Sequence, residues 1–263
     1  MTDAEIASEL EANFLRSNRD LAEHAVAGEY REEDGLALKY TGVPAPGENG
    51  AFVTRPLRDA REQIAGAIAY FERRAAPYAI LMRADLDPAA ERACTELGLA
   101  LVHTLPGMAL APLPARTPPA PSSLEIRIVR DAAAHDLHVQ TDAAGFEGDL
   151  ELTRAVFPTS LIARPYAVEF LGFADGVPVA TSVLVMTGRT AGVYGVSTIP
   201  AYRRRGYGEA MTWRAIAEGA ARGCVMANLQ SSDMGHAMYE RMGFRVVVPF
   251  LIFARAAANA TAG

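Results

Sequence analysis

Val196-Ser197-Thr198-Ile199-Pro200-Ala201-Tyr202-Arg203-Arg204-Arg205-Gly206-Tyr207-Gly208 is the stretch on which the reading of this chain turns. It joins a predicted strand, Ala191 to Thr198, to a predicted helix from Gly206 to Ala221. Met211, Ala215, Ile216 and Gly219 share the core-facing side of that helix. A loop entering a helix presents unpaired backbone N–H groups and the positive end of the helix dipole. Glycines at 206 and 208 lack a Cβ, so an anion can come close to that backbone, and three arginines add fixed positive charge. Together these predict a diphosphate cradle.

The neighbouring sequence supplies a frame for the cradle. Leu124 to Val129 alternates like a strand, and Asp131 suits the N-cap of a helix reaching Ala144. Phe146 to Ala163 reads as a second helical segment, broken near Pro158. Ala167 to Phe173 and Val179 to Met186 form a hairpin through Asp175-Gly176, and Ala191 to Thr198 completes a three-strand meander. After the long helix come a strand over Val225 to Gln230, a short helix over Asp233 to Met242 closed by Gly243, and a last strand over Arg245 to Phe253.

This order, together with Arg203-x-x-Gly206-x-Gly208 after a strand and before a helix, resembles the GNAT superfamily of N-acetyltransferases. Leu229-Gln230-Ser231-Ser232 resembles the family's strand that splays from the meander to admit the pantetheine arm. Tyr239-Glu240-Arg241-Met242-Gly243-Phe244 resembles its Tyr-x-x-x-Gly-Phe helix ending. The resemblance covers Leu124 to about Phe253. It implies an α/β (α+β) fold with a mixed, mostly antiparallel sheet, a splayed strand pair and flanking helices. It also implies acetyl-CoA as co-substrate and direct acetyl transfer to an amine-bearing small molecule or peptide.

Carried onto matching positions, the resemblance gives the backbone of Val196, Ser197 and Thr198 to the pantetheine amides. Arg203, Arg204, Arg205, Gly206, Tyr207, Gly208 and Glu209 go to the pyrophosphate. Tyr239 becomes the general acid for the leaving thiolate, and Asn228 a contact to the acyl or pantetheine part. Ser232 stands where the family often has an asparagine touching the cofactor, and it also suits an N-cap. For the base that deprotonates the amine, Glu169 on the first meander strand ranks ahead of Tyr194, Glu147 and a water chain. The alternative function is a non-catalytic acyl-CoA-binding sensor, which keeps the cradle and acetylates nothing.

Composition narrows the classes further. From Leu124 onward 13 arginines oppose 13 acids, so the net charge of −6 belongs to the residues before it. An acidic chain with no large basic face is a poor nucleic-acid binder. Asp3, Glu5, Glu9 and Glu11 argue against a secretory signal, and Val246 to Ala254 is too short to span a bilayer. The chain therefore reads as cytoplasmic, with no membrane partner and with a homodimer left open. Two cysteines, Cys94 and Cys224, make no disulfide framework. His135 and His138 lack the acids and cysteines of a metal site, so no metal is expected.

The proline-rich stretch Ala111 to Ser123 divides the chain, with residues 116–123 as linker between 1–115 and a catalytic 124–263. Glu91 to Val102 aligns with His236 to Val247 at an offset of 145, which points to duplication and two such domains in tandem. The first copy reads as degenerate: Cys94 stands at the Tyr239 position, and Arg55 to Gln63 contains no glycine.

Overall fold

The computed structural model describes residues 1–45 and 47–255. The chain opens with helix α1 (Asp3–His24), strands β1 (Glu29–Glu33), β2 (Leu36–Tyr40) and β3 (Gly50–Val53), then helix α2 (Ala60–Glu72). Strand β4 (Ala79–Arg83), helix α3 (Pro88–Glu96) and strand β5 (Ala100–Leu110) follow. The second half holds β6 (Glu125–Ile128), α4 (Ala132–Phe146), α5 (Leu150–Val156), a 3₁₀ turn (Thr159–Ala163), β7 (Ala167–Ala174), β8 (Val177–Thr187) and β9 (Thr190–Thr198). It closes with α6 (Tyr207–Ala221), β10 (Met226–Gln230), α7 (Asp233–Arg241) and β11 (Arg245–Ala254).

Local chemistry accounts for many of these boundaries. Asp175 and Gly176 both take positive φ, as a two-residue β7–β8 turn requires, and Ala174 pairs directly with Val177. The carboxylate of Asp131 accepts the N–H of Ala134 at 2.9 Å to start α4. Gly243, at φ 94°, ends α7, with the Phe244 N–H returning to the Tyr239 carbonyl at 3.0 Å. Gly98 ends α3 in the same way through Leu99 N–H and the Cys94 carbonyl. The offset of 145 seen in the sequence thus recurs in the structure down to matching helix caps.

The chain forms two compact units, and they do not divide at residues 116–123. The first unit comprises Met1–Ala25 with Pro106–Val247, and the second comprises Val26–Leu105 with the residues from Val248 on. In the first, the strand order is β5-β10-β9-β8-β7-β6, mostly antiparallel with a parallel β9–β10 pair. In the second it is β1-β2-β3-β4-β11, with a parallel β3–β4 pair and an antiparallel β4–β11 pair. Each unit therefore repeats a meander, a helix, a parallel strand and a short helix, and takes its closing antiparallel strand from the other half of the sequence.

The two cores are distinct. In the first unit, Phe170, Leu184, Met211, Ile216 and Phe244 lie in one buried cluster. In the second, Ile64, Phe71, Ile80, Met82 and Phe253 form another. Helix α1 belongs to the first unit because buried polar contacts hold it there. Asn13 Nδ2 donates to the Val185 carbonyl at 2.9 Å, and Arg164 donates to Asp20 at 2.8 Å. Asp20 also accepts from Tyr166 Oη at 2.9 Å and faces Arg16 at 3.0 Å.

Candidate active site

The first unit opens where β9 and β10 part. Their parallel pairing runs Thr190↔Met226, Ala191↔Ala227 and Gly192↔Asn228, and stops there. Leu229 and Gln230 continue on the β5 side against Met108 and Gly107, whereas β9 continues to Thr198 paired only with β8. One edge of Val196, Ser197 and Thr198 is thus left without a strand partner. A bulge marks the same place: Gly195 and Val196 face the single residue Ser182, and Gly195 takes φ 54°.

The loop beyond β9 turns into α6 through two left-handed residues. Arg204 and Gly206 adopt left-handed backbone at φ 65° and 78°, and α6 starts at Gly206 with no side-chain cap. Each of the other six α-helices is capped by a side chain, from Thr2, Asp59, Asp87, Asp131, Asp149 and Ser232. The first N–H groups of α6 are therefore left without a capping side chain. A Cβ on Gly208 would meet only Met238, Thr198 and Val196 atoms at 3.7–3.8 Å, ordinary contact, so internal packing does not demand glycine there.

The three arginines divide their tasks. Arg203 donates to the Gly145 carbonyl and to Glu147, both at 2.8 Å, and to the Thr198 carbonyl at 3.2 Å. It braces the loop against the end of α4, and Glu147 is occupied in that brace. Arg205 lies over the Tyr202 ring at 4.9 Å, and Arg204 is exposed. Tyr207 is buried, its hydroxyl donating to Ser123 at 3.1 Å. Glu209 lies half-buried in the first turn of α6.

Tyr239 stands on the opposite side of this first turn. It is buried on α7, edge-on to Phe244, with its hydroxyl beside that of Thr212. Thr212 in turn donates to the Gly208 carbonyl at 2.9 Å. Burial outweighs the Thr212 contact and pushes the phenol up to about 12, so it carries its proton throughout the neutral range.

Two other expected contacts are otherwise engaged. Asn228 is fully buried and donates to the Leu10 carbonyl at 3.2 Å, so it holds α1 on its amide side. Its Oδ1 has no hydrogen-bond partner among the described residues. Ser232 caps α7 by accepting the Gly235 N–H at 3.3 Å.

A cavity of about 100 Å³ lies behind β9, bordered by Tyr194 and Gly195 immediately before the open edge. Its chemistry comes from α4, whose inward stripe is His135, His138, Val139 and Asp142. Positions i, i+3, i+4 and i+7 face a core, and here three of the four are titratable. Glu169 of β7 accepts His135 Nδ1–H at 2.8 Å, while His135 Nε2 lies 2.9 Å from the Phe157 carbonyl. Burial opposes a charge on either partner, yet their mutual bond prevails. It raises His135 and, helped by the charge of Arg164, lowers Glu169. Glu169 is therefore an ionised partner of His135, a poor disposition for the base expected from sequence.

His138 behaves in the opposite way, because burial lowers it and leaves it neutral. Its Nε2 has no hydrogen-bond partner among the described residues. Asp142 went unnoticed in the sequence, although the α4 stripe was a signal for it. Burial, reinforced by the charge of Glu169 and opposed by Thr181, pushes its carboxyl up to about 7. The Thr181 hydroxyl lies 3.0 Å from Asp142 Oδ1, 2.8 Å from the Gly195 carbonyl and 2.7 Å from Ser197 Oγ. Asp142 is thus linked to the bulge and to the open edge. Tyr194 Oη donates to Asn13 Oδ1 at 2.6 Å, and burial raises its pKa.

Comparison with known proteins now bears on this geometry. The family model described as Acetyltransferase (GNAT) family matches residues 134–244, from α4 to the end of α7. Residues 134–244 form a GNAT acetyltransferase domain. The matched span carries the splay, the cradle, Tyr239 and the cavity's acids, so the protein is an acyltransferase of the acetyl-CoA-dependent kind. The GNAT fold extends over the whole chain in solved structures. A GCN5-related N-acetyltransferase from Kribbella flavida superposes with a TM-score of 0.74 at 18% identity, covering 96% of this chain and 97% of its own. Another, from Sphaerobacter thermophilus, gives 0.59 at 16% identity over 94% and 89%. A tandem GNAT protein from the clavulanic acid biosynthesis pathway gives 0.60 at 11% identity over 85% and 79%. No curated protein is significantly similar in sequence. Among the described residues no helix is long and apolar enough to cross a membrane, and no three His, Cys, Asp or Glu side chains cluster to hold a metal ion.

Proposed function

We propose that the protein transfers an acetyl group from acetyl-CoA directly to an amine, in one active site within the first unit. The observation that carries this reading is the conjunction of an uncapped α6 with the unpaired edge of β9. An extended pantetheine arm can pair along Val196 to Thr198 while the diphosphate meets the N–H groups of Arg204 to Glu209. Arg204 adds an exposed charge and Arg203 holds the loop in place.

The reaction needs an amine nitrogen with a free lone pair to attack the thioester carbon. The C–N bond forms, the C–S bond breaks, and the leaving sulfur takes a proton. Tyr239, protonated and adjoining the first turn of α6, is the donor we assign. A covalent acyl-cysteine is disfavoured, because burial raises both Cys94, to about 12, and Cys224.

The second unit serves as a worn copy without coenzyme A chemistry. Its helix α2, the counterpart of α6, starts at Asp59, whose carboxylate accepts the Glu62 N–H at 3.0 Å. A fixed carboxylate there repels the phosphate that an open α6 would attract. Release of free thiol from acetyl-CoA in the presence of an amine panel tests the function. Binding of acetyl-CoA without thiol release for any amine would instead favour the sensor.

A further inference from the structure

The geometry points to Asp142 as the group that takes the proton from the acceptor, with the cavity behind β9 admitting a primary amine whose stem is short, apolar and free of a second charge. This inference rests on the acetyltransferase reading and gives that reading its missing acceptor side.

Position comes first. The cavity reaches Tyr194 and Gly195, and the pantetheine edge begins at the next residue, Val196. An amine held in the cavity therefore lies at the end of the strand that presents the thioester. Asp142 borders the same space, 3.5 Å from the point where a Cβ on Gly195 would stand. A Cβ there would make only ordinary contact with the acid, so it is the left-handed backbone of the bulge, at φ 54°, that favours glycine.

Charge selects the acceptor. Glu169 is turned to His135, and Arg164, which also borders the cavity, is turned to Asp20 of α1. Tyr194 is committed to Asn13. Of the two acids in the wall, Glu169 has the His135 ring beside it, whereas Asp142 meets the neutral Thr181 hydroxyl and no cation among the described residues. One uncompensated acid suits one ammonium group. His138, neutral and with an unpartnered Nε2, adds an acceptor for a second N–H of that group. Apart from the Ser17 hydroxyl, the rest of the wall, including Leu21, Val139 and Val183, is apolar, so a further charge close to the nitrogen would be buried without an ionic partner.

The step balances as follows. The ammonium gives one proton to the Asp142 carboxylate, and the freed lone pair attacks the carbonyl carbon. As the C–S bond breaks the thiolate takes a proton from the Tyr239 hydroxyl, and the nitrogen's second proton restores Tyr239. Asp142 then passes its own proton to solvent, so one proton is released per acetyl group. The carboxyl sits near 7 because of burial and Glu169, close to the value at which a base is both ionised and able to hold a proton.

The test uses the full chain with n-butylamine and spermidine as acceptors, and Asp142→Asn and Asp142→Glu as variants. Calorimetry with acetyl-CoA comes first: absence of binding by the wild type overturns the acetyltransferase reading itself. With binding intact, n-propylamine titrated into the acetyl-CoA-saturated protein is expected to shift the methyl resonances of Val183 and Val185. Thiol release with n-butylamine is expected to rise through pH 7 in the wild type. In Asp142→Asn it should fall by about 10²–10⁴-fold with acetyl-CoA affinity unchanged, and in Asp142→Glu it should be partly restored. Unshifted Val183 and Val185 methyls, an Asn variant that keeps wild-type turnover and pH profile, or a preference for spermidine over n-butylamine would each overturn the assignment of Asp142 and leave the acetyltransferase reading standing.

Discussion

Asp142→Asn should make the protein more stable in alkaline solution, and the gain should vanish in part as the pH falls. The carboxyl is raised from 3.8 to about 7 in the folded chain, so the native state holds its proton more tightly than the unfolded state does. A carboxyl shifted in this direction costs stability as pH rises from its unfolded to its folded pKa. Some three pH units at 1.36 kcal/mol each make a full cost on the order of 4 kcal/mol above pH 8. Of this, about 2.5 kcal/mol develops between pH 5 and pH 8. The hydrogen bonds agree in sign. Thr181 has one proton for both the Asp142 oxygen at 3.0 Å and the Gly195 carbonyl at 2.8 Å, and a protonated Asp142 releases it for Gly195. An asparagine amide can do the same at every pH. Trp213 is the only tryptophan and is buried in the first unit, so its fluorescence in urea follows the relevant core. The variant's advantage over the wild type should grow by about 2–3 kcal/mol between pH 5 and pH 8. An advantage that is equal at both pH values, or a variant weaker than wild type at pH 8, would refute the reasoning.

Other expectations follow from the same geometry. Tyr239→Phe should lower kcat by about 10²-fold or more while acetyl-CoA affinity stays nearly constant, as steady-state kinetics and calorimetry will read; unchanged kcat with chemistry rate-limiting would assign the proton to water. Gly208→Val should weaken acetyl-CoA binding severely in calorimetry with Trp213 fluorescence intact, because a Cβ there makes only ordinary contacts with the protein while its branches stand beside the first N–H groups of α6; wild-type affinity would count against the cradle. Asn13→Ala removes three hydrogen bonds, a buried one to Val185 and part-buried ones to Thr187 and Tyr194, and should cost about 2–3 kcal/mol in urea unfolding. A cost near zero there would mean that α1 is not held as described.

How much of this was legible in the sequence depends on the range of the interactions. The loop into α6 and the helix start at Gly206 were readable because Arg203 to Gly208 acts through its own backbone and the helix it opens. The β7–β8 turn was readable because Asp175-Gly176 imposes it locally. The place of α1 was not, since its partners lie as far off as Asn13 and Val185, 172 residues apart. The strand exchange was hidden for a related reason: β5 and β11 have the same pattern, and either could close either sheet. Proline composition marked residues 116–123 as extended without revealing to which unit the flanking segments return. Glu169 was found as a strand-borne acid, but its bond to His135 changes its chemistry. The base passed instead to Asp142, whose seven-residue stripe with His135 needed only a count along α4.

The central claim is that acetyl-CoA binds between the parted strands β9 and β10, against the open start of α6. A crystal structure of the protein with acetyl-CoA tests it most directly. The account predicts the diphosphate on the N–H groups of Arg204 to Glu209, the pantetheine along Val196 to Thr198, and the thioester carbon facing the cavity at Gly195. Acetyl-CoA bound elsewhere, or crystals saturated with it and no density at the start of α6, would contradict the account.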